Sequence, residues 1–406
     1  MAKTIALIGS LDTKGDEYAF VKECIEGRGH RTLVIDVGVL GPPAFEPDVS
    51  RRQVAEAAGV ELDVLVERKD RGEAVAAMAR GAERLVPSLH AEGRFQGIMA
   101  LGGGGGTSVA CAGMRALPLG VPKVMVSTVA GTDVSGYVGV KDIVMVPSVV
   151  DVAGVNRVSR EIFARAAGAV CGMVEAEVPR GEDRPLVAAS MFGNTTPCVE
   201  AAKTILEEAG YEVLVFHATG TGGRTMENLI REGLIAGVLD ITTTEWADQL
   251  VGGVLAAGPD RLEAAARSGV PAVVTPACLD MINFWAPQTV PKRFRHRRFY
   301  QHNPNITLMR TDPAECRRLG EILAEKLNLS TGPVVVLIPR GGLSMIDAPD
   351  GPFWWPQADE ALFDALKSNL RPDIPVIEME ANVNDSRFAR RCAETLLELM
   401  NPPAAG

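Results

Sequence analysis

The most unusual stretch of this 406-residue chain is Gly102-Gly103-Gly104-Gly105-Gly106-Thr107-Ser108, which follows an apolar run ending at Leu101. Five contiguous glycines let backbone N–H groups converge on an anion, and the helical pattern that continues to Leu117 adds the positive end of its dipole. Phosphate is the ligand this chemistry suits, and a tight strand-to-helix turn is the competing use of the same residues. No lysine follows the last glycine, so the run is not GxxxxGK[ST], and Thr107 stands where GxGxxG needs its final glycine. A P-loop NTPase is thereby excluded, and the dinucleotide fingerprint is not met.

Other loops after apolar runs carry polar groups of the same kind. Gly9 to Glu17 contains Asp12, Thr13 and Lys14: the ammonium suits a phosphate, and the carboxylate suits Mg²⁺ or a ribose hydroxyl. A helix cap and a solvated lysine are the equal alternative. The stretch Thr128 to Tyr137 includes Thr132 and Asp133, hydroxyl and carboxylate groups for a polyoxygenated ligand, with Asp133 a second candidate metal carboxylate and a hydrophilic surface turn the alternative. Later loops hold Phe192 to Pro197, His217 to Arg224 and Thr242 to Glu245; together they predict a second polar pocket with His217 and Glu245 as candidate acid-base groups, a structural histidine being the commoner use of a lone His. Asp280, Asn283, Ser344 and Asp347 could join its rim. Lys292 to Arg298 is the strongest basic run and reads as a surface patch or subunit contact, or as a clamp for an anionic ligand. No GxSxG, HExxH or Cys/His pairing identifies a nucleophile.

These loops need a scaffold, and the apolar periodicity supplies it. Thr4 to Ile8, a helix over Glu17 to Gly27, and Thr32 to Val37 form a β-loop-α-β unit, which implies a parallel sheet. Strands follow at Gly97 to Leu101, Lys123 to Ser127 and Ile143 to Val146, then an amphipathic helix from Val155 to Met173. The polar segment 179–185 is bracketed by prolines and reads as a linker. Beyond it the opening pattern repeats, with strands at Leu186 to Met191, Glu212 to Phe216, Ala236 to Asp240, Ala272 to Thr275, Pro333 to Ile338 and Pro375 to Met379, and a closing helix from Ser386 to Met400. The fold class expected is α/β, two successive Rossmann-like doubly wound parallel-sheet domains over 1–178 and 186–402. In such sheets ligands bind beyond the carboxyl ends of the strands, which is where all the loops above fall.

Composition agrees with this reading. At 47% hydrophobic and 23% charged residues the chain is globular, and at roughly 150 residues per domain it holds two to three domains. The net charge of -10 argues against nucleic acid or an anionic membrane as partner. Seven scattered cysteines without a CxxC pair argue against a disulfide framework or zinc finger, and no signal-peptide core or long apolar span is present, so a cytoplasmic location is expected.

The segments SLDTKGDE, GGGGGTS, STVAGTDVSGYVG, MFGNTTPCVEAA, FHATGTGGRTMENLI, DITTTEWAD, CLDMINFW and HNPNITLMRTD, in this order, resemble the bacterial, fungal and plant family that includes the N-terminal region of the tomato mosaic virus resistance protein. The resemblance spans about residues 3 to 400. It implies ATP binding with Mg²⁺, homodimerisation, and a TIM-barrel partner that is fused in the plant protein and separately encoded in bacteria. On this chain the nucleotide would fall on Asp12, Thr13, Lys14, the loop Gly102, Gly103, Gly104, Gly105, Gly106 and Thr107, and Thr132 with Asp133; Asp12 and Asp133 would hold the metal. The expectation is an ATP-binding component of an enzyme acting on a small carboxylated or hydroxylated metabolite. A nucleotide-sensing regulatory module is the alternative.

Overall fold

The computed structural model describes residues 2–179 and 181–401, so Arg180 of the expected linker and the domain limit at 402 lie outside it. The chain divides into two compact units, Met1–Pro179 and Arg180–Gly406.

The first unit runs β1 (Thr4–Gly9), α1 (Leu11–Glu26), β2 (Arg31–Asp36), α2 (Arg51–Ala57), α3 (Leu62–Arg68), α4 (Arg71–Ala91), β3 (Gly97–Gly102), α5 (Gly104–Ala116), β4 (Lys123–Ser127), α6 (Ser135–Val138), β5 (Val144–Pro147) and α7 (Arg157–Glu175). Its five strands are parallel, in the order β2-β1-β3-β4-β5. Alternation along each strand builds two cores. Ala6, Ile8, Ile98 and Ala100 pack with Met78, Ala82 and Val86 of α4 and Met114 of α5. Ile5, Leu7, Met99 and Leu101 pack with Tyr18, Val21 and Ile25 of α1 and Phe163, Ala166 and Val170 of α7. Helices on both faces make the sheet doubly wound.

Two sequence expectations change here. The helix α1 begins at Leu11, six residues before the expected start at Glu17, because the carboxylate of Asp36 accepts the Leu11 N–H at 3.0 Å and caps it from the end of β2. Asp12 and Thr13 therefore lie in a short helical turn and not in an open loop, and Lys14 (φ -136°, ψ 29°) stands at a kink between that turn and the rest of α1. The region 51–91, left unassigned by periodicity, forms α2 to α4, with Asp70 capping α4 through the Glu73 N–H.

The second unit runs β6 (Leu186–Met191), α8 (Thr196–Glu208), β7 (Glu212–His217), α9 (Thr221–Arg231), β8 (Ile235–Thr242), α10 (Glu245–Val251), α11 (Glu263–Ser268), β9 (Ala272–Ala277), β10 (Met281–Phe284), β11 (Phe299–Asn303), β12 (Ile306–Arg310), α12 (Pro313–Leu327), β13 (Val334–Pro339), α13 (Pro356–Asn369), β14 (Val376–Met379) and α14 (Ser386–Met400). Six strands form a parallel sheet ordered β14-β13-β9-β8-β6-β7. Here again alternate strand residues feed two cores: Val187, Leu239, Val273 and Leu337 face α8 and α14, while Ala188, Val238, Val274 and Val336 face α12 and α13. An antiparallel excursion, ordered β10-β12-β11, interrupts the pattern between β9 and α12, and the basic run 292–298 connects β10 to β11 within it.

Candidate functional site

In the first unit the strand order reverses between β1 and β3, and an open α/β sheet offers its ligand crevice at such a point, beyond the strand carboxyl ends. The two chain segments leaving that point are Gly9-Ser10 and Gly102-Gly103. Tyr18 of α1 closes the floor beneath them: its buried hydroxyl donates to Ile8 O at 2.6 Å and accepts from the Leu101 N–H at 2.8 Å, tying β1 to β3 where they part. A Cβ on Gly9 would overlap the Tyr18 ring, so glycine is required there. Burial pushes the phenol pKa up, and the hydroxyl stays protonated.

The glycine run behaves differently along its length. Gly102 is needed for packing, since a Cβ would lie 3.1 Å from Gly106 Cα. Gly103, Gly104, Gly105 and Gly106 are not: none has a positive φ, and an added Cβ would meet nothing closer than 3.5 Å. Each glycine in the first turn of α5 nonetheless costs helix stability, roughly 0.5–1 kcal/mol relative to alanine. The N-cap is Gly103, which offers no side chain to the first N–H groups of this 13-residue helix. What these residues leave is a half-exposed strip of backbone donors at the end of a helix dipole. Thr107 is buried and committed, its hydroxyl bonded to Gly103 O at 2.9 Å and to Ser127 Oγ at 2.7 Å.

The remaining expected residues of this unit are distributed around the strip. Asp12 turns to the loop after β2, where Oδ2 accepts from the Leu40 N–H at 2.7 Å and the Gly41 N–H at 3.2 Å. Its Oδ1 is buried without a partner. The Lys14 ammonium donates to Val152 O, and Thr13 is exposed. On the other side of β3, the hydroxyl of exposed Thr132 donates to Val129 O at 2.8 Å, and exposed Asp133 accepts the Ser135 N–H at 2.9 Å, bonds that hold its carboxyl below the usual range. Asp12 and Asp133 thus leave strands separated by β3, so one ion would take Asp12 or Asp133 with ligand phosphates, an arrangement suited to Mg²⁺. The orphaned Asp12 Oδ1 fits that use. Among the described residues no group of three or more His, Cys, Asp or Glu side chains is placed to hold a metal by itself. Asp36 was missed by sequence reading: fully buried, it holds Leu11 and Gly38 N–H groups, while burial and neighbouring Asp12 raise its pKa.

In the second unit the expected acid-base pair does not form. Glu245 is buried at the start of α10, with Oε2 2.6 Å from Arg261 Nε and Oε1 accepting the Gly220 and Gly223 N–H groups at 2.7 and 3.1 Å. Both oxygens are occupied, so Glu245 anchors the turn before α9 and does not face a ligand. His217 is exposed, its ring 5.5 Å from that of Phe192. Arg261 is the centre of the arrangement: it also grips Asp240 at 2.5 and 2.6 Å and reaches Glu227 at 3.3 Å. The threonines turn inward as well, Thr242 Oγ1 to Thr195 Oγ1 at 2.7 Å and Thr243 Oγ1 to Thr275 O at 3.1 Å. The predicted rim residues are likewise internal. Ser344 Oγ donates to Asp280 at 2.8 Å, Arg310 pairs with Asp359 at 2.5 Å and stands 3.7 Å from Asp347, and Asn283 donates to Asp248. Burial pushes Asp280 and Asp248 up to about 7 and Asp359 to about 8. Most polar groups of this edge bond one another, while Asp280 Oδ1, Asn283 Oδ1, Asp347 Oδ1 and Asp359 Oδ2 are buried without a hydrogen-bond partner.

No helix among the described residues is long and apolar enough to cross a membrane. Residues 3–179 match the Uncharacterised protein family (UPF0261) N-terminal domain and residues 184–400 its C-terminal domain. A UPF0261 protein of Clostridium tetani is 49% identical over 98% of this chain and 100% of its own length. The ToMV susceptible protein tm-1(GCR26) of Solanum lycopersicum is 37% identical over 97% of this chain, which matches 55% of the tomato protein. Among solved structures, UDP-N-acetylglucosamine 2-epimerase from Rickettsia bellii covers 98% of this chain and 96% of its own at 10% identity, with a TM-score of 0.22, a likeness too slight to carry an argument. Two family domains in sequence, together spanning nearly the whole chain, place this protein in the UPF0261 family.

Proposed function

We propose that the first unit binds ATP with Mg²⁺, seating its phosphates on the Gly103–Gly106 strip at the β1/β3 switch point. The observation that carries this reading is the set of four glycines whose lack of side chain neither packing nor backbone conformation requires. A close-approaching anion explains it, because phosphate oxygens approach backbone N–H groups most closely where no Cβ crowds them. Asp12 Oδ1 would take the cation, and Mg²⁺ would screen the phosphate charge when bound.

The chain then serves as a nucleotide-binding component of a cytoplasmic, homodimeric enzyme acting on a small carboxylated or hydroxylated metabolite together with a separate TIM-barrel protein. One feature favours a second reading, a nucleotide-sensing regulatory module: Glu245, the carboxylate best placed by sequence to act as a base, is committed to Arg261 and two N–H groups. Isothermal titration with Mg-ATP tests the shared claim, and no heat or competition at millimolar nucleotide refutes it. Assaying ADP, AMP and phosphate with candidate acids, with and without the barrel protein, separates turnover from sensing.

A further inference from the structure

The glycine strip carries no charge of its own, and no lysine directly follows its last glycine. The structure brings one from elsewhere. Arg71 is the first residue of α4, placed there by the Asp70 cap, and Val75 one turn later packs beside Gly105. A Cβ on Gly105 would lie 3.9 Å from Arg71 Nη2. Nearby Arg68 is paired with Glu73, but Arg71 is exposed and has no hydrogen bond or ion pair among the described residues. Two further uncommitted groups face the same strip. A Cβ on Gly103 would lie 3.7 Å from Thr128 Oγ1, and one on Gly104 would lie 3.7 Å from Tyr137 Oη. Three successive glycines therefore open onto a hydroxyl, a phenol and a guanidinium, each with donors to spare.

We infer that Arg71 is the cation of the phosphate site, gripping the outermost phosphate held on the strip while Thr128 and Tyr137 donate to the inner ones. This rests on the nucleotide-binding reading above and deepens it: the site selects its ligand by the number of phosphates. A guanidinium presents a fork that matches two phosphate oxygens, which an ammonium cannot do. Arg71 is exposed, so its replacement is expected to leave folding unchanged.

The test is calorimetric titration of the full chain, wild type and Arg71→Met, with ATP, ADP and AMP, and with inorganic tripolyphosphate as a base-free probe. Loss of a charge-assisted interaction predicts ATP and tripolyphosphate binding about 10- to 100-fold weaker in Arg71→Met. AMP should change less than about threefold, and Arg71→Lys should recover part of the ATP loss. Thermal melts that coincide with wild type establish that the variants are folded. If wild type binds ATP and Arg71→Met binds it equally well, the Arg71 assignment is overturned and the nucleotide reading stands. Equal losses for ATP and AMP overturn phosphate counting. If wild type binds neither nucleotide nor tripolyphosphate, both readings fall together.

Discussion

Replacing Gly105 with alanine separates what the glycine run does for folding from what it does for a ligand. Gly105 lies in the first turn of α5 with ordinary backbone angles, and its added Cβ would meet Val75 Cγ2 at 3.5 Å, a normal van der Waals contact. Helix propensity then favours alanine by up to about 1 kcal/mol. In a unit of this size 1 kcal/mol raises the melting temperature by about 2–4 °C. The same methyl group occupies the space through which a phosphate would reach the N–H groups, so ATP affinity should fall at least about tenfold, or 1.4 kcal/mol. Calorimetric melting and isothermal titration on one preparation read both effects. A stabilised Gly105→Ala protein with unchanged ATP affinity would sink the phosphate-strip reading, because the glycine would then serve neither fold nor ligand. Gly102→Ala is the internal control: its Cβ would crowd Gly106 Cα at 3.1 Å, so it should lower stability whether or not nucleotide is present.

Arg261→Met leaves Asp240, Glu245 and Glu227 buried without their counter-charge, and should destabilise the second unit by about 3–5 kcal/mol, measured by urea unfolding. Glu245→Gln, in contrast, should leave ATP affinity unchanged within twofold by titration, since the nucleotide is assigned to the first unit. The pKa values of Asp280 and Asp248 near 7, and of Asp359 near 8, lie above the unfolded value near 4, so the folded second unit holds protons that the unfolded chain releases. Its stability should therefore be highest below pH 4 for these groups and decline as pH rises to about 8; a urea midpoint that rises from pH 6 to pH 8 contradicts this.

Much of the scaffold was legible because buried parallel strands are short apolar runs bounded by turn residues. Lys123–Ser127, Leu186–Met191 and Ser386–Met400 fall where periodicity puts them. The errors share a cause, a partner distant in sequence. Leu11 starts a helix because Asp36 caps it, which no local pattern announces. Thr221–Arg231 forms α9 despite its two leading glycines, because Glu245 accepts the Gly220 and Gly223 N–H groups. The strand Phe299–Asn303 is half-exposed and polar, and only its antiparallel pairing with Ile306–Arg310 defines it. The candidate site divides in the same way. The glycine strip announces itself, whereas Glu245 looked like a base until Arg261, sixteen residues on, was seen to hold it, and Arg71 lay in a region that periodicity left unassigned.

The Tyr18 hydroxyl, wedged between the diverging ends of β1 and β3, ties together the tolerance of two positions that are neighbours only in space. A larger residue at position 9 has no room unless the ring at position 18 shrinks, and a smaller ring at 18 leaves Ile8 O and the Leu101 N–H without their shared partner. Either change alone is disfavoured, and only a paired exchange that supplies a new bridging group keeps the strand ends joined. Across the family these two positions should drift together or not at all, and chains that depart from the Gly–Tyr combination should show a rebuilt floor beneath the crevice.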